Sequence, residues 1–249
     1  MIVLKSPREL KLMREAGRIV AITLAALAER IKPGISTAQL EGWAVEIIRK
    51  HKAIPSFKGY RGYPGAICVC VNREVVHGIP RKGRILREGD IVSIDVGVIY
   101  RGYHGDAAIT VGVGEISDEA RWLIEVTKGA LKAGIAAARA GNRLGDVSWA
   151  IQSYAESRGY NVVREYTGHG IGRQMHEEPQ VPNFGQPHKG VVLKPGMTFA
   201  LEPMVTKGSG EVKVLKDGWT VVTKDGALAA HFEHTVAVTD GEAEILTKL

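Results

Sequence analysis

The sequence has only two cysteines, Cys68 and Cys70, among 249 residues. They alternate along one strand-like run, and neighbours at that spacing are poorly placed to form a disulfide with each other. They form C-x-C and not C-x-x-C, which argues against a structural zinc site built on thiolates. A chain without disulfides fits a reducing compartment, so we expect a cytoplasmic protein.

Other absences narrow the class of protein further. No apolar run approaches the roughly 18 residues of a membrane span, so we expect no membrane partner. Ile2-Val3-Leu4 is followed at once by Lys5, which argues against a secretory signal. The P-loop, H-E-x-x-H and Gly-x-Ser-x-Gly patterns are absent, which leaves a phosphate loop, a helical zinc protease and a nucleophile elbow unsupported.

The composition is that of a soluble globular enzyme, with 45% hydrophobic and 24% charged residues in one large domain or two small ones. The net charge of +6 lies entirely in residues 1–60, which hold eleven Lys or Arg and five Asp or Glu. A basic first quarter favours contact with RNA, and we expect the ribosome as a partner, although a solvated helix face is the simpler explanation. Nothing in the sequence requires more than a monomer.

Helix and strand signals alternate along the chain. A capping Ser6 followed by Pro7 and Glu9 predicts one helix start, and Ser36 predicts another for a helix that runs to about 51. Strands are then predicted at 67–72, 91–98 and 107–113, and a strand that passes into a turn is predicted at 75–80. The second half repeats this plan, with helices from 117 to about 139 and from about 144 to 157, and strands at 196–203 and 233–239.

An internal repeat relates the two halves. Gly34 and Gly141 lie 107 residues apart, and each separates two predicted helices. The segments 89–95 and 196–202 align at the same offset, and each ends in a carboxylate. We therefore expect a single catalytic domain over 1–249, built from repeats at approximately 1–113 and 114–249.

A second alignment pairs two more carboxylates. Residues 105–109 resemble 232–236 at an offset of 127, and the additional residues fall in a predicted hairpin around 213–226. An approximate two-fold axis between the halves would bring equivalent strands to a shared centre. The pairs that result are Asp95 with Glu202, and Asp106 with Glu233.

These four carboxylates and His169, which lies between two glycines, predict a metal site. A carboxylate at the end of an apolar strand must be solvated, paired or bound to a cation. Four negative charges balance two divalent cations. Carboxylates with one imidazole and no thiolate suit Mn, Fe(II), Co or Zn.

Two adjacent metals predict amide hydrolysis by a metal-bridging hydroxide. Such metals also bind a free amine, which would select a chain terminus. Glu202 is the candidate proton acceptor for the water, and His77 and His176 are candidate hydrogen-bond donors to the substrate. His104, His231 and His234 are interpreted as structural, although His231 shares a strand face with Glu233.

A substrate pocket is predicted from apolar and aromatic residues in loops or turns. A slot of this kind would hold an unbranched, polarisable side chain such as that of methionine through sulfur–aromatic contact. Ordinary core positions explain the same residues equally well. The five residues are Phe57, Tyr60, Tyr63, Cys68 and Trp219.

Several motifs in order along the chain resemble the type I methionine aminopeptidases. They are the segments Phe57–Tyr60, Val71–Pro80, Asp95–Gly97, Gly105–Asp106, Gly168–Gly172, His176–Gln180, Glu202–Met204 and Phe232–Thr235. The resemblance covers essentially the whole chain and matches the short bacterial form. It implies the pita-bread fold, with a central curved and mostly antiparallel sheet flanked by helices. It also implies removal of the initiator methionine from nascent chains when the next residue is small.

The resemblance also implies roles for the residues already selected. Asp95 would serve one metal, His169 and Glu202 the other, and Asp106 and Glu233 would bridge the two. His77 and His176 match the substrate-contacting histidines of the family. Phe57 and Met175 depart from the family pattern but remain apolar, so we expect a different pocket shape and the same reaction.

Two alternative functions remain open. Proline-directed peptidases resemble this fold and share the five-ligand plan, but they usually carry a sizeable additional N-terminal domain. A non-enzymatic binding protein of the same fold, associated with the ribosome, is the other alternative. Such relatives lose ligands, whereas all five are present in this sequence.

Overall fold

The structure, a computed structural model, describes residues 1–249 as four α-helices, fifteen β-strands and one short 3₁₀ turn at Tyr60–Gly62. The helices are α1 Pro7–Ala28, α2 Thr37–Lys50, α3 Asp118–Ala137 and α4 Leu144–Glu156. The strands of the first half are β1 Ile54–Pro55, β2 Cys68–Val71, β3 Glu74–Val76, β4 Ile91–Tyr100 and β5 Tyr103–Gly112. Those of the second half are β6 Asn161–Val162, β7 Thr167–Gly170, β8 Glu177–Pro182, β9 Thr198–Leu201, β10 Met204–Thr206, β11 Val212–Val214, β12 Val221–Thr223, β13 Ala229–His231, β14 His234–Ala237 and β15 Glu244–Ile245.

Side-chain capping begins the first two helices where the sequence predicted. The Ser6 backbone N–H donates to Glu9 Oε2 at 2.9 Å, and Ser6 Oγ accepts from the Glu9 backbone. Ser36 and Gln39 form the same reciprocal box at the start of α2. These caps satisfy backbone N–H groups that have no partner within the helix, so the predicted boundaries are confirmed.

Every strand pair is antiparallel. The central pair of the first half is β4 with β5, joined by a two-residue turn at Arg101 and Gly102, both of which have positive φ. This is the turn geometry that matches the twist of a tight hairpin. In the second half β9 pairs with β14 and with β7, and the neighbouring β10 pairs with β13.

The predicted strand over 196–203 is shorter than expected and has a break. The pairing is interrupted at Glu202 and Pro203, between β9 and β10, and at Phe232 and Glu233, between β13 and β14. Proline has no N–H to donate to a strand ladder, so its position explains the end of β9. The first half has no such interruption.

The backbone connections of the first half recur in the second at the 107-residue offset. The N–H of Gly34 donates to the Leu86 carbonyl, and that of Gly141 donates to the Leu193 carbonyl. The isolated bridge between Ser36 and Ile85 is matched by one between positions 143 and 192. Gly34 and Gly141 have φ of +92° and +90°, a backbone region that favours glycine.

The two halves join at the carboxylate-bearing strands. Ala108 and Glu233 exchange backbone hydrogen bonds of 3.3 and 2.9 Å. On the other side of the joint, the Thr235 hydroxyl accepts from the Asp106 N–H at 2.9 Å and donates to the Asp106 carbonyl at 2.8 Å. Positions 106 and 108 are the repeat equivalents of 233 and 235, so these two contacts are related by the approximate two-fold.

Helices cover the sheets on the outside. α1 packs over β4 and β5, α2 packs against α1 and β1, and a core of aliphatic residues fills the space between them. α3 and α4 cover the strands of the second half. A side chain at Gly105 of β5 would clash with the α1 backbone at Gly17, 2.7 Å away, so the glycine at position 105 allows close helix–sheet packing. None of the helices combines the length and the apolar character that crossing a bilayer requires.

Candidate metal centre and substrate pocket

The first half supplies two carboxylates on one face of a hairpin. Asp95 on β4 lies opposite Ala108, and Asp106 on β5 lies opposite Gly97. Residues that are opposite, or diagonal by two positions, on an antiparallel pair point to the same side of the sheet. Asp95 and Asp106 are diagonal neighbours, so both carboxylates face the joint between the halves.

The second half supplies two carboxylates at the break in its strands. Leu201 pairs with His234 and Met204 pairs with His231, so the register places Glu202 directly opposite Glu233. Glu233 is also fixed by its backbone exchange with Ala108 of the first half. The break therefore places both side chains at the joint without a regular ladder between them.

His169 on β7 is held in one tautomer. Its Nδ1 lies 2.8 Å from the Gly170 carbonyl oxygen, which can only accept, so Nδ1 carries the proton and Nε2 keeps its lone pair. Nε2 lies 3.6 Å from Glu202 Oε1. A side chain at Gly168 would meet the Ala200 carbonyl oxygen at 2.4 Å, and one at Gly170 would meet that of Glu178 at 2.3 Å. The flanking glycines thus let neighbouring strands approach the histidine closely.

The acidic cluster is buried and incompletely paired. Asp106 and Glu233 are 3% and 2% exposed, and Asp95 Oδ1, Asp106 Oδ1 and Glu233 Oε1 have no hydrogen-bond partner. Burial raises the pKa of Asp95 to about 7 and raises the pKa values of Asp106, Glu202 and Glu233 well above the ordinary range. Buried polar atoms are normally hydrogen-bonded or bound to a metal, so this donor set fits divalent cations.

Two groups of donors are close enough to share a cation each. One consists of Asp106, His169 and Glu233, and the other of Glu202, His231 and Glu233, with the ligand atoms of each group within 4.8 Å of one another. Burial lowers the pKa of His169 to about 4 and that of His231 to about 3, so both imidazoles are neutral at physiological pH. A neutral imidazole is the form that binds metal.

Two further histidines stand at the side of the acidic cluster. His176 Nδ1 lies 2.8 Å from the Tyr60 hydroxyl, and its ring lies 4.2 Å from the His169 ring, centroid to centroid. His77 has a φ of +59°, an uncommon conformation for a residue with a side chain, and contacts Tyr166 edge-on. Burial lowers the pKa of both histidines, to about 3 for His176. Both are therefore neutral and able to donate one hydrogen bond.

An apolar cluster lines the rest of the site. Phe57, Tyr63, Cys68 and Met175 are buried against one another, with Tyr60, Ile79 and Trp219 packed at the edge. The Tyr63 hydroxyl donates to the Gly78 carbonyl at 2.9 Å, and its ring meets Trp219 edge-on at 5.1 Å. Burial raises the pKa of the Cys68 thiol, so this cysteine is an apolar wall and not a nucleophile. The cluster and the carboxylates share one cavity of about 170 Å³.

Comparison with known proteins identifies the family. The sequence profile of metallopeptidase family M24 matches residues 11–240. The chain belongs to metallopeptidase family M24.

Curated M24 relatives match the whole chain. Methionine aminopeptidase 1 of Bacillus subtilis (strain 168) is 56% identical over 249 residues, which cover 100% of both proteins. The methionine aminopeptidase of Clostridium acetobutylicum is 55% identical and covers 99% of both. The predicted resemblance to bacterial methionine aminopeptidases, and with it a metal-dependent hydrolase, is confirmed.

Solved structures confirm the predicted pita-bread fold. The crystal structure of methionine aminopeptidase from Thermotoga maritima superposes with a TM-score of 0.99 at 51% identity, covering 100% of both chains. Prolidase from Pyrococcus furiosus superposes with a TM-score of 0.80 at 22% identity, covering 99% of this chain and 66% of its own. At that identity the prolidase likeness shows the fold alone.

The M24 fold brings all the predicted site residues into one cavity. The lining consists of the predicted metal ligands Asp95, Asp106, His169, Glu202 and Glu233, the histidines His77 and His176, and the predicted pocket residues Phe57, Tyr60, Tyr63, Cys68 and Trp219. Arg61 and Met175 complete it, and sequence reasoning did not assign Arg61 to the site. His104 lies apart and is hydrogen-bonded to Ser56 at 2.9 Å.

The interpretation of His231 as structural does not fit its position. Its Nε2 lies 3.8 Å from Glu202 Oε2 and 3.8 Å from Glu233 Oε2. The sequence feature that indicates this position is the spacing of two residues between His231 and Glu233, which places both side chains on one strand face. His234, by contrast, points elsewhere and is hydrogen-bonded to Thr247 at 2.9 Å.

Proposed function

We propose that the protein removes the N-terminal methionine from nascent polypeptides whose second residue is small. The observation that carries this proposal is the shared cavity, in which an apolar slot opens directly onto the acidic cluster. A thioether side chain in the slot would contact aromatic rings favourably. Its own peptide bond would then lie over the carboxylates.

We propose two divalent ions as cofactors, drawn from Mn, Fe(II), Co and Zn. Asp95 would hold one ion, His169 and Glu202 the other, and Asp106 and Glu233 would contact both. When bound, such ions acidify the attacking water and polarise the scissile carbonyl.

Glu202 is the proposed proton carrier. It lies at the edge of the acidic cluster, with its side chain 14% exposed to the cavity. Burial raises the pKa of this carboxyl group well above its usual range in the metal-free site, and a carboxylate beside the cavity is a suitable proton acceptor. Glu202 would accept a proton from the attacking water and deliver it to the leaving amine.

The two cavity histidines orient the substrate in this proposal. With the Tyr60 hydroxyl donating to Nδ1, His176 keeps its proton on Nε2 and donates it to a substrate carbonyl or to the tetrahedral oxyanion. His77 would donate to the peptide from the other wall. Tyr60 stacks on His176 at 5.2 Å, centroid to centroid, and both rings line the cavity. In this proposal they would limit the space for the second residue, which supports a preference for a small one.

The test is a peptide assay on metal-stripped protein titrated separately with Mn, Fe(II), Co and Zn. We expect Met-Ala-Ser to be cleaved faster than Met-Leu-Ser, and Leu-Ala-Ser to be cleaved slowest. Faster cleavage of Xaa-Pro peptides would contradict the proposal and favour a proline-directed peptidase. Absence of metal binding by calorimetry would favour a non-enzymatic binding protein.

The partners and the compartment stay predictions. A nascent chain terminus is the substrate that the proposed reaction requires. Ribosome contact through the basic residues 1–60, a monomeric state and a cytoplasmic location rest on the sequence alone.

A further inference from the structure

We infer that His231 is a sixth metal ligand, so that each of the two candidate metal positions has its own imidazole. The two donor groups share Glu233, and each contains one histidine: His169 in one and His231 in the other. The inference deepens the proposed function, since it rests on the proposal of two bound metals. It replaces the expectation from the sequence that only one metal position has a nitrogen ligand.

The surroundings of His231 indicate a ligand role. The residue is 2% exposed, and its Nε2 is buried without a hydrogen-bond partner. The nearest carboxylate oxygens, on Glu202 and Glu233, lie at 3.8 Å, which is too far for a hydrogen bond. Two atoms each about 2.1 Å from one ion lie roughly 3–4 Å apart, so these distances fit three donors around a shared cation.

Glu202 has an imidazole on each side. Its Oε1 faces His169 Nε2 at 3.6 Å, and its Oε2 faces His231 Nε2 at 3.8 Å. Neither separation is a hydrogen bond, and the two imidazoles approach different oxygens of one carboxylate. Glu202 would then contact both ions, one through each oxygen: the ion of His169, and the ion of Asp95, to which His231 is added. This replaces its assignment to the His169 ion alone.

The backbone of His231 is fixed by the other half of the molecule. The His231 N–H donates to Thr110 Oγ1 at 2.9 Å, and that hydroxyl donates to the His231 carbonyl at 2.8 Å. Thr110 lies on β5, the strand that carries Asp106, and is hydrogen-bonded in turn to Ser93 at 2.8 Å. The strand that supplies one carboxylate thus also positions the sixth donor, as a pre-organised ligand requires.

The direct test is X-ray absorption spectroscopy of the wild-type protein loaded with two equivalents of Zn²⁺. The multiple-scattering features that imidazole rings produce in the spectrum report the number of histidine ligands per metal ion. We expect an average of about one imidazole per metal ion, since two histidines serve two ions, and about half of one in His231→Gln. An average of about one half in the wild type would overturn the inference, whether or not the variant folds.

Calorimetric titration of metal-free protein with Co²⁺ gives a second measurement. We expect His231→Gln to weaken one of two binding events by at least about tenfold and to leave the other event in place. His234→Gln is the matched control, because this half-buried neighbour is hydrogen-bonded to Thr247 and belongs to neither donor group. Two unchanged events in His231→Gln would refute a ligand role. Absence of any Co²⁺ binding in the wild type would instead refute the proposed function.

Discussion

The two halves of this M24 protein share a backbone plan but supply different chemistry to the joint between them. The first half has an unbroken hairpin, β4 with β5, that carries Asp95 and Asp106 as diagonal neighbours. The second half has a broken ladder that carries Glu202 opposite Glu233. Both imidazoles of the two donor groups come from the second half.

The difference shows how a symmetric frame can hold an asymmetric site. The repeat fixes where four carboxylates meet, because equivalent strands meet at the two-fold. The break at Pro203 leaves Glu202 directly opposite Glu233, an arrangement that the first half does not have. The first half, whose hairpin is unbroken, thus supplies carboxylates, and the second half supplies both carboxylates and imidazole nitrogens.

The largest effect is expected from the two residues that would touch both metals, one from each half. Asp106→Asn and Glu233→Gln should each lower kcat/KM on Met-Ala-Ser by more than about 100-fold, since even indirect supporting residues of a metal site contribute about 10–100-fold. Steady-state assays with saturating Mn or Co would measure the loss.

Asp118→Asn is the matched control for these variants, because its side chain is fully exposed. We expect it to retain wild-type turnover. A near-normal rate in only one of the two site variants would show that the halves do not contribute equivalent bridging ligands.

A smaller effect is expected on stability as the pH changes. Burial raises the pKa of Asp95 to about 7 in the folded, metal-free protein, against about 3.9 for an unfolded chain. Protonation of Asp95 in the folded protein contributes to its stability. This contribution is fully present below the pKa of the unfolded chain and is lost as the pH rises through the folded pKa of about 7. The free energy of unfolding of metal-free protein should therefore fall between about pH 4 and pH 7, by up to about 1.4 kcal/mol per unit for each such group, and the contribution of Asp95 should level off above pH 7.

Urea unfolding at several pH values would measure this slope. Below about pH 6.5 the buried histidines, which are neutral in the folded protein and charged in the unfolded chain, contribute a slope of the opposite sign, so the wild type is compared with Asp95→Asn at each pH. Asp95→Asn should flatten the decline in the metal-free protein, and saturating metal should oppose it. An equally steep decline in Asp95→Asn would locate the effect in Asp106, Glu202 and Glu233 instead.

The smallest effect is expected in the apolar slot, whose walls also come from both halves. Met175→Ala removes a buried side chain from the second-half wall and should raise KM for Met-Ala-Ser by about tenfold with little change in kcat. Met204→Ala, a buried methionine outside the slot, controls for general loss of packing. A loss confined to kcat would show that Met175 acts on the reacting groups and not on the methionine side chain.

Patterns along the chain predicted much of the fold. Ser6 and Ser36 indicated the first two helix starts because their caps involve residues only three positions away. The 107-residue offset of Gly34 and Gly141 indicated a repeat, because a left-handed turn has a strong preference for glycine. Predictions of this kind depend on local interactions.

Features that depend on strand register were not predictable in the same way. The break between β9 and β10 leaves Glu202 opposite Glu233, whereas Asp95 and Asp106 are diagonal, and no pattern within either segment distinguishes the two arrangements. His231 was set aside because a single buried histidine is usually structural. Only the pairing of β13 with β10 and the contact with Thr110 bring its ring beside two carboxylates.

The tight turn at Arg101 and Gly102 has a consequence for the order of folding. It connects β4 to β5 through two residues, so this hairpin needs almost no loop closure and can form early. The second-half ligands are separated by long segments and can meet the hairpin only after both halves have collapsed. We therefore expect the finished hairpin to act as the template on which the later strands assemble, and the candidate cation site to become available for binding only at the end of that assembly.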